Sequence, residues 1–334
     1  MRRTALVAGG AGFIGGCVTR ALLDDGWQIV VVDNLSNGNA EMVPPLARFV
    51  DCNKGQHDTM AQIFREHAIE IVFDFAAHIN ISEGERTPAK YLENNLANTI
   101  SLANAAACAG VKKYVFSSTA AVYGTPATAL VSETHPVRPV SVYGKTKAMA
   151  EVALIEILGA AGCALGILRY FNVAGSFGGG AFGQYRRGQT GIMSRALDAS
   201  RGHDPVFTIH GADWNTADGT GVRDYIHVGD LVSAHTALAE RLAANQPPRI
   251  YNCGYGTGFS VREVLATFEQ VSGRVIEVAL GERRAGDTAA VVADSSRIRS
   301  ELGWTPQRQD LELIVRDAMA WRTRLEADQT RLFA

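Results

Sequence analysis

The sequence predicts an α/β protein built on a doubly wound parallel sheet, with a smaller C-terminal α/β lobe. Three observations carry that expectation. Short, continuously apolar runs alternate with longer helical patterns through the first half of the chain, as βαβ units with helices on both faces of a parallel sheet require. Glycines cluster at the first strand-to-helix turn. After Asn172 the rhythm breaks into an unperiodic stretch and then into shorter, mixed elements. The 334 residues are 47% hydrophobic and 20% charged, a globular composition with room for about two domains.

Strands are expected at residues 4–8, 28–33, 47–51, 71–75, 113–117 and 165–170, each an apolar run without polar alternation. That pattern is the mark of burial on both faces. Helices are expected between them at residues 12–24, 58–67, 88–109 and 142–158. Residues 173–191 are rich in Gly, with Phe177, Phe182 and Tyr185 interspersed and no period. A loop of that length inside a compact protein is functional or mobile. Beyond it lie short strands at 206–210, 250–253 and 275–279 and helices at 228–243, 260–271 and 311–324. The expected division is a nucleotide-binding domain over residues 1–172, with 222–244 returning to it, and a substrate lobe over 173–334.

With 32 Lys and Arg against 34 Asp and Glu, the net charge of −2 gives no footprint for nucleic acid or an anionic membrane. No nucleic-acid or membrane partner is therefore expected. Cys17, Cys52, Cys108, Cys163 and Cys253 lie far apart, in no metal-ligand spacing, and read as reduced thiols of a cytoplasmic protein. Arg2 and Arg3 precede an uncharged stretch, but Gly9, Gly10, Gly12, Gly15 and Gly16 break it, so a strand, turn and helix is expected there rather than a secretion signal.

The turn reads Gly9-Gly10-Ala11-Gly12-Phe13-Ile14-Gly15. Gly10, Gly12 and Gly15 fit one dinucleotide spacing, and Gly9, Gly12 and Gly15 fit another. Either way the glycines allow a tight turn, close approach of backbone to a pyrophosphate, and an anion at the helix N-terminus. Asp33 ends the second strand 18 residues beyond Gly15, where a carboxylate accepts from an adenosine ribose diol and repels a 2′-phosphate. The implied fold is Rossmann-type and the implied cofactor is NAD. Asn34, Ser36 and Asn37 follow as further polar candidates around the adenosine.

Tyr143 and Lys147 are four apart at the start of a helical pattern, hence on one face. An ammonium about 4 Å from a phenol favours the phenolate by ~4 kcal/mol at an effective dielectric near 20, so Lys147 is expected to lower the pKa of Tyr143 toward that of a useful base. Ser117-Ser118-Thr119 ends a buried strand, where open parallel sheets place their ligands. Thr119 is expected to share a substrate hydroxyl with Tyr143.

At this point the chain resembles the extended short-chain dehydrogenase/reductase family, and within it the branch that epimerises UDP-hexoses at C4. The resemblance is carried by Phe116-Ser117-Ser118-Thr119-Ala120-Ala121-Val122-Tyr123-Gly124, by Tyr143-Gly144-Lys145-Thr146-Lys147, by Leu168-Arg169-Tyr170-Phe171-Asn172, and by the stretch from Asp218 to Val228. It implies Tyr143 as base, Lys147 on the nicotinamide ribose, and Thr119 in place of a serine. Around NAD it implicates Phe13, Ile14, Asn53, Phe75, Ala76, Ala77, Asn94, Ser117 and Tyr170. Around the UDP-sugar it points to Asn172, Ile192, His210, Arg223, Arg284, Asp287 and Val291. The implied reaction is transient oxidation at C4 by tightly held NAD, with hydride returned to the opposite face. The implied assembly is a homodimer formed through helices of the first domain.

Asn53, Ile79, Gly191 and His210 depart from the family's usual residues. Val291 stands where a large aromatic is associated with restriction to plain hexoses, so turnover of UDP-GlcNAc and UDP-GalNAc is expected as well. Related chemistries remain open. A 4,6-dehydratase would carry Asp-Glu where this chain has Ala120-Ala121, a simple dehydrogenase would release a ketone, and an NAD-sensing regulator would have lost the chemistry.

Overall fold

The alternation of apolar residues with apolar residues along each strand sends successive side chains to opposite faces of one sheet, and both faces are covered. The computed structural model describes residues 3–185, 191–203, 206–284 and 286–332. In chain order the strands are β1 (Thr4–Ala8), β2 (Gln28–Asp33), β3 (Arg48–Asp51), β4 (Ile71–Asp74), β5 (Lys113–Thr119), β6 (Leu130–Val131), β7 (Ala164–Tyr170), β8 (Asn172–Ala174), β9 (Val206–His210), β10 (Val222–His227), β11 (Arg249–Cys253), β12 (Gly258–Ser260), β13 (Glu277–Gly281) and β14 (Ala290–Ala293). Seven of them form a parallel sheet in the order β3-β2-β1-β4-β5-β7-β11. The order reverses between β1 and β4, which opens a crevice at the C-terminal ends of those two strands.

Ala5, Val7, Ile29, Val31, Ile71 and Phe73 feed one core, and their neighbours Leu6, Ala8, Val30, Val32 and Val72 feed the other. The helices are α1 (Phe13–Asp24), α2 (His57–Glu66), α3 (Ile81–Arg86), α4 (Pro88–Tyr91), α5 (Asn98–Cys108), α6 (Val142–Ala160), α7 (Ile192–Ser200), α8 (Val228–Arg241), α9 (Val261–Ser272), α10 (Ser296–Leu302) and α11 (Leu311–Leu332). Helices α2, α5 and α6 lend Met60, Ile63, Leu102, Ala106, Ala150 and Leu154 to the second core. Helices α1 and α8 lend Val18, Leu22, Leu231 and Leu238 to the first.

Two sequence expectations change here. The helix expected over 88–109 runs without interruption but with a π-helical turn at Leu92–Ala97 between α4 and α5; such turns re-aim side chains at functional sites, and Asn94 and Asn95 lie in this one. The glycine-rich 173–191 stretch starts with β8, which pairs with β10, and its described part is stapled down. Phe177 and Phe182 exchange backbone hydrogen bonds, Ser176 Oγ donates to the Asp317 carbonyl at 2.8 Å, and Trp321 Nε1 donates to the Gln184 carbonyl at 2.9 Å. Residues 186–190 lie outside the described residues, so the expectation of mobility is not addressed there.

The smaller lobe is organised by β10, flanked by β12 and β14, with β6 beyond β14; β9 and β13 form a separate parallel pair. Ser260 and Glu263 form a reciprocal cap that starts α9. Among the described residues no helix is long and apolar enough to cross a membrane.

Candidate active site

The glycine turn sits at the crevice between β1 and β4. Gly9 has φ +82°, in the left-handed region, and a Cβ there would lie 2.7 Å from the Ala76 backbone nitrogen. A Cβ on Gly15 would lie 2.3 Å from the Gly9 carbonyl oxygen. Gly12 caps α1 and donates to the Gly9 carbonyl at 3.1 Å. The Gly9-Gly12-Gly15 spacing is therefore the one in which each glycine answers a backbone demand, although Gly10 is also closely packed against Val31. Phe13 and Ile14 form the first turn of α1, whose unpaired amides and positive end suit a diphosphate.

An open cleft lies in front of this turn. Gly9, Gly12, Asp33, Asn34, Ser36 and Asn37 line one side. Asn53, Phe75, Ala76, Ala77 and Asn94 line the other. The Asp33 carboxylate is buried and accepts from the Ala11 amide at 3.1 Å and the Leu35 amide at 2.9 Å. Burial holds its pKa above the ordinary range, opposed by those two amides. Asn37 Nδ2 meets His78 Nδ1 at 3.2 Å, joining the loops after β2 and β4 across the crevice. The Asn53 side chain accepts from the Gly55 amide at 2.8 Å. A side-chain-free turn at a helix N-terminus and a carboxylate at the end of β2, both lining one cleft, fit a dinucleotide.

The end of β5 carries the second constellation. Thr119 Oγ1 accepts from the Ala121 amide at 3.1 Å and lies close enough to the Tyr143 phenol to favour its ionised form. Ser141 starts α6 by accepting from the Gly144 amide at 3.1 Å, and this cap sets the first turn that presents Tyr143 and Lys147. Ser117 Oγ is hydrogen-bonded to the Tyr170 hydroxyl. Lys147 is buried, donates to the Ser117 carbonyl at 2.7 Å and lies 4.5 Å from the centre of the Phe116 ring.

The expected lowering of Tyr143 by Lys147 is corrected by this geometry. Burial pushes the phenol up to about 12, opposed by Thr119 alone. Burial first, and then the Lys54 charge, push the Lys147 ammonium down to about 7, opposed by Asp74 and Glu151.

Several residues without a spacing signal support these groups. Ser118 Oγ donates to Glu151 Oε1, Arg169 Nε donates to the same oxygen at 2.9 Å, and Arg169 Nη1 reaches the Tyr123 hydroxyl at 3.1 Å. This buried network fixes β5, α6 and β7 behind Thr119. Asn95 accepts from the His78 amide at 2.8 Å and donates to the His78 carbonyl at 2.9 Å and to Thr146 Oγ1 at 3.3 Å, tying the rim of the cleft to α6. Lys54, which lines the cleft, forms a buried ion pair with Asp74.

Of the residues expected around a sugar nucleotide, the structure gathers Asn172, Arg223, Asp287 and Val291 around β10. Asn172 lies on β8, opposite Tyr225. Arg223 pairs in register with Val291, donates to the Val222 and Thr288 carbonyls at 2.8 and 2.9 Å and lies 4.0 Å from Asp287. Val291 packs against a small cluster that holds Val122, Tyr123 and Phe171 and also touches Ala120, next to Thr119. His210 ends β9, opposite Gly281, exposed Arg284 follows β13, and Ile192 opens α7.

Residues 5–254 match the model of the NAD dependent epimerase/dehydratase family. The chain is 42% identical over 321 residues to the UDP-glucose 4-epimerase of Azospirillum brasilense, covering 96% of this chain and 92% of that protein. It superposes on the UDP-glucose 4-epimerase of Bifidobacterium longum, solved in complex with NAD+ and UDP, with TM-score 0.90 at 33% identity over 96% of this chain and 98% of that one. It superposes on the UDP-Glc/GlcNAc 4-epimerase of Campylobacter jejuni with TM-score 0.83 at 36% identity, over 96% and 99% of the two chains.

Proposed function

The chain belongs to the NAD dependent epimerase/dehydratase family, and we propose that it interconverts UDP-glucose and UDP-galactose by NAD-dependent epimerisation at C4. The observation that carries the reading is the meeting of Thr119 and Tyr143 at the end of β5, on the same C-terminal edge as a cleft that fits NAD. Bound there, NAD supplies a reversible hydride acceptor.

Tyr143 takes the proton of the C4 hydroxyl and returns it, while Thr119 donates to the phenolic oxygen and so favours the phenolate. Lys147 orients the nicotinamide ribose. Arg223 and Arg284 hold the diphosphate, for which guanidinium is the matching donor. Asn172, Ile192 and His210 hold the uridine. A firmly anchored UDP leaves the hexose free to present either face, and the anchoring energy serves the reaction by orientation.

Val291 borders the same edge as Ala120, and a valine leaves room for an N-acetyl group at C2. UDP-GlcNAc and UDP-GalNAc are accordingly proposed as second substrates, a reading supported by the likeness to the Campylobacter jejuni enzyme. Exposed Leu92, Met149 and Val152 on the α4–α6 side support a homodimer. Five unpaired cysteines, four of them buried, support a reducing, cytoplasmic setting.

The elimination alternative is disfavoured because Ala120 and Ala121 offer no acid or base beside Thr119. Incubation with UDP-glucose and, separately, UDP-GlcNAc tests the reading by product chromatography. Equilibrium mixtures with the 4-epimers support it; a dehydrated or free keto product from UDP-glucose rejects it.

A further inference from the structure

The Lys54 side chain is 4% exposed, and its ammonium has four oxygen partners. It donates to Asp74 Oδ1 and Oδ2, to the Ala76 carbonyl and to Thr99 Oγ1, all at 2.8 Å. Asp74 in turn accepts from the Tyr114 hydroxyl at 3.0 Å and from the Ala76 amide at 3.2 Å. Thr99 donates to the Asn95 carbonyl, so the charge links the end of β3, the end of β4 and the first turn of α5. Taking an ammonium and a carboxylate out of water is unfavourable unless every donor and lone pair is met, and here one of the partners, the Ala76 carbonyl, belongs to a residue that lines the nucleotide cleft.

The place of the Ala76 carbonyl matters most. Residues 75–77 form the wall against which the glycine turn closes, since a Cβ on Gly9 would meet the Ala76 nitrogen and the Phe75 carbonyl carbon within 3 Å. Lys54, Phe75, Ala76 and Ala77 all line the cleft. The ammonium thus pins the wall from below while the glycine turn touches it from the side. Shifting this wall by a fraction of an ångström changes the width of the slot that receives the dinucleotide.

We propose that Lys54, paired with Asp74, is a positioning residue of the cofactor site, which holds the Ala76 backbone against the glycine turn and thereby sets how tightly the dinucleotide is retained. The proposal rests on the reading of the cleft as the NAD site. The pair acts on this wall through the backbone, because the Lys54 charge is matched by that of Asp74.

The test uses Lys54→Met, which keeps most of the side-chain volume, and the double variant Lys54→Met/Asp74→Asn, which removes both charges so that no unpaired carboxylate is buried. Release of NAD from each purified holoprotein is followed during dialysis, alongside thermal unfolding. The KM for UDP-galactose is measured at saturating NAD. The expected result is NAD release at least tenfold faster in the folded double variant, because Ala76 and Thr99 have lost their donor, with the KM for UDP-galactose within twofold of the parent. If Lys54→Met does not fold, the double variant decides alone. A double variant that unfolds at the parent's temperature and releases NAD within twofold of the parent rate overturns the proposal and leaves the pair a matter of charge balance. A double variant that does not fold also overturns it, by showing that the pair serves the fold first. Absence of NAD from the parent protein would instead count against the cofactor reading, and that is seen before any variant is compared.

Discussion

Replacing Tyr143 by Phe removes one oxygen and keeps the ring. If the phenol is the acid and base, kcat falls by about 10² to 10⁴, while bound NAD and the unfolding temperature stay near those of the parent; a loss below tenfold would move the proton transfer elsewhere. Val291→Tyr enlarges a side chain that packs against the cluster of Val122, Tyr123 and Phe171, so, on the proposed role of this position, turnover of the N-acetylated pair drops by at least tenfold relative to UDP-glucose, as competing-substrate assays would register. These residues were legible because their signals are local: the four-residue spacing of Tyr143 and Lys147, the glycine spacing, and a carboxylate at the end of a strand. Lys54 was not, since a lone lysine beside Asn53 and Gly55 has no periodicity, and only the fold brings Asp74, Ala76 and Thr99 to it. The direction of the Tyr143 shift was not legible either, because it depends on burial and on where the Lys147 ammonium ends up.

At the scale of elements, two glycines in helices separate function from propensity. Gly15→Ala drives a methyl to 2.3 Å from the Gly9 carbonyl oxygen, so the α1–turn packing must open. NAD is lost and stability falls by about 1–3 kcal/mol, the usual range for overpacking. Gly159 lies near the end of α6 with nothing near a new Cβ, and Gly159→Ala stabilises by about 0.5–1 kcal/mol through helix propensity. Denaturant melts of the two variants would contradict this account if both shifted the same way. The long strands and amphipathic helices were readable because an apolar run or a 3.6-residue period fills a whole element. Strands β6, β8 and β12, of two or three residues each, are too short to have a period and exist because longer strands offer them edges, β10 for β8 and β12 and β14 for β6.

For the whole molecule, the buried lysine at the active edge links stability to pH. In the folded protein the Lys147 pKa is pushed down to about 7, against about 10.4 when unfolded. Between those values the unfolded chain holds the extra proton, so this group's contribution to stability rises with pH. Below about pH 7 the folded state carries the burial penalty of the charge. In cofactor-stripped protein, the stability advantage of Lys147→Met over the parent is therefore largest near pH 6 and shrinks toward pH 9.5. A difference that stays constant across that range in calorimetric scans would contradict the assigned shift.

The seven-stranded sheet places the cleft and the Thr119–Tyr143 pair on one edge, and the β10 hub brings Arg223 and Val291 to the same molecule from far along the chain. The most direct measurement of that arrangement's purpose is incubation of the purified protein with UDP-galactose and no added cofactor, with the nucleotide sugars identified at equilibrium. The expected product is UDP-glucose, formed on NAD carried through purification, with no net NADH. No product with or without added NAD, or a stoichiometric build-up of NADH and a released ketone, would contradict it.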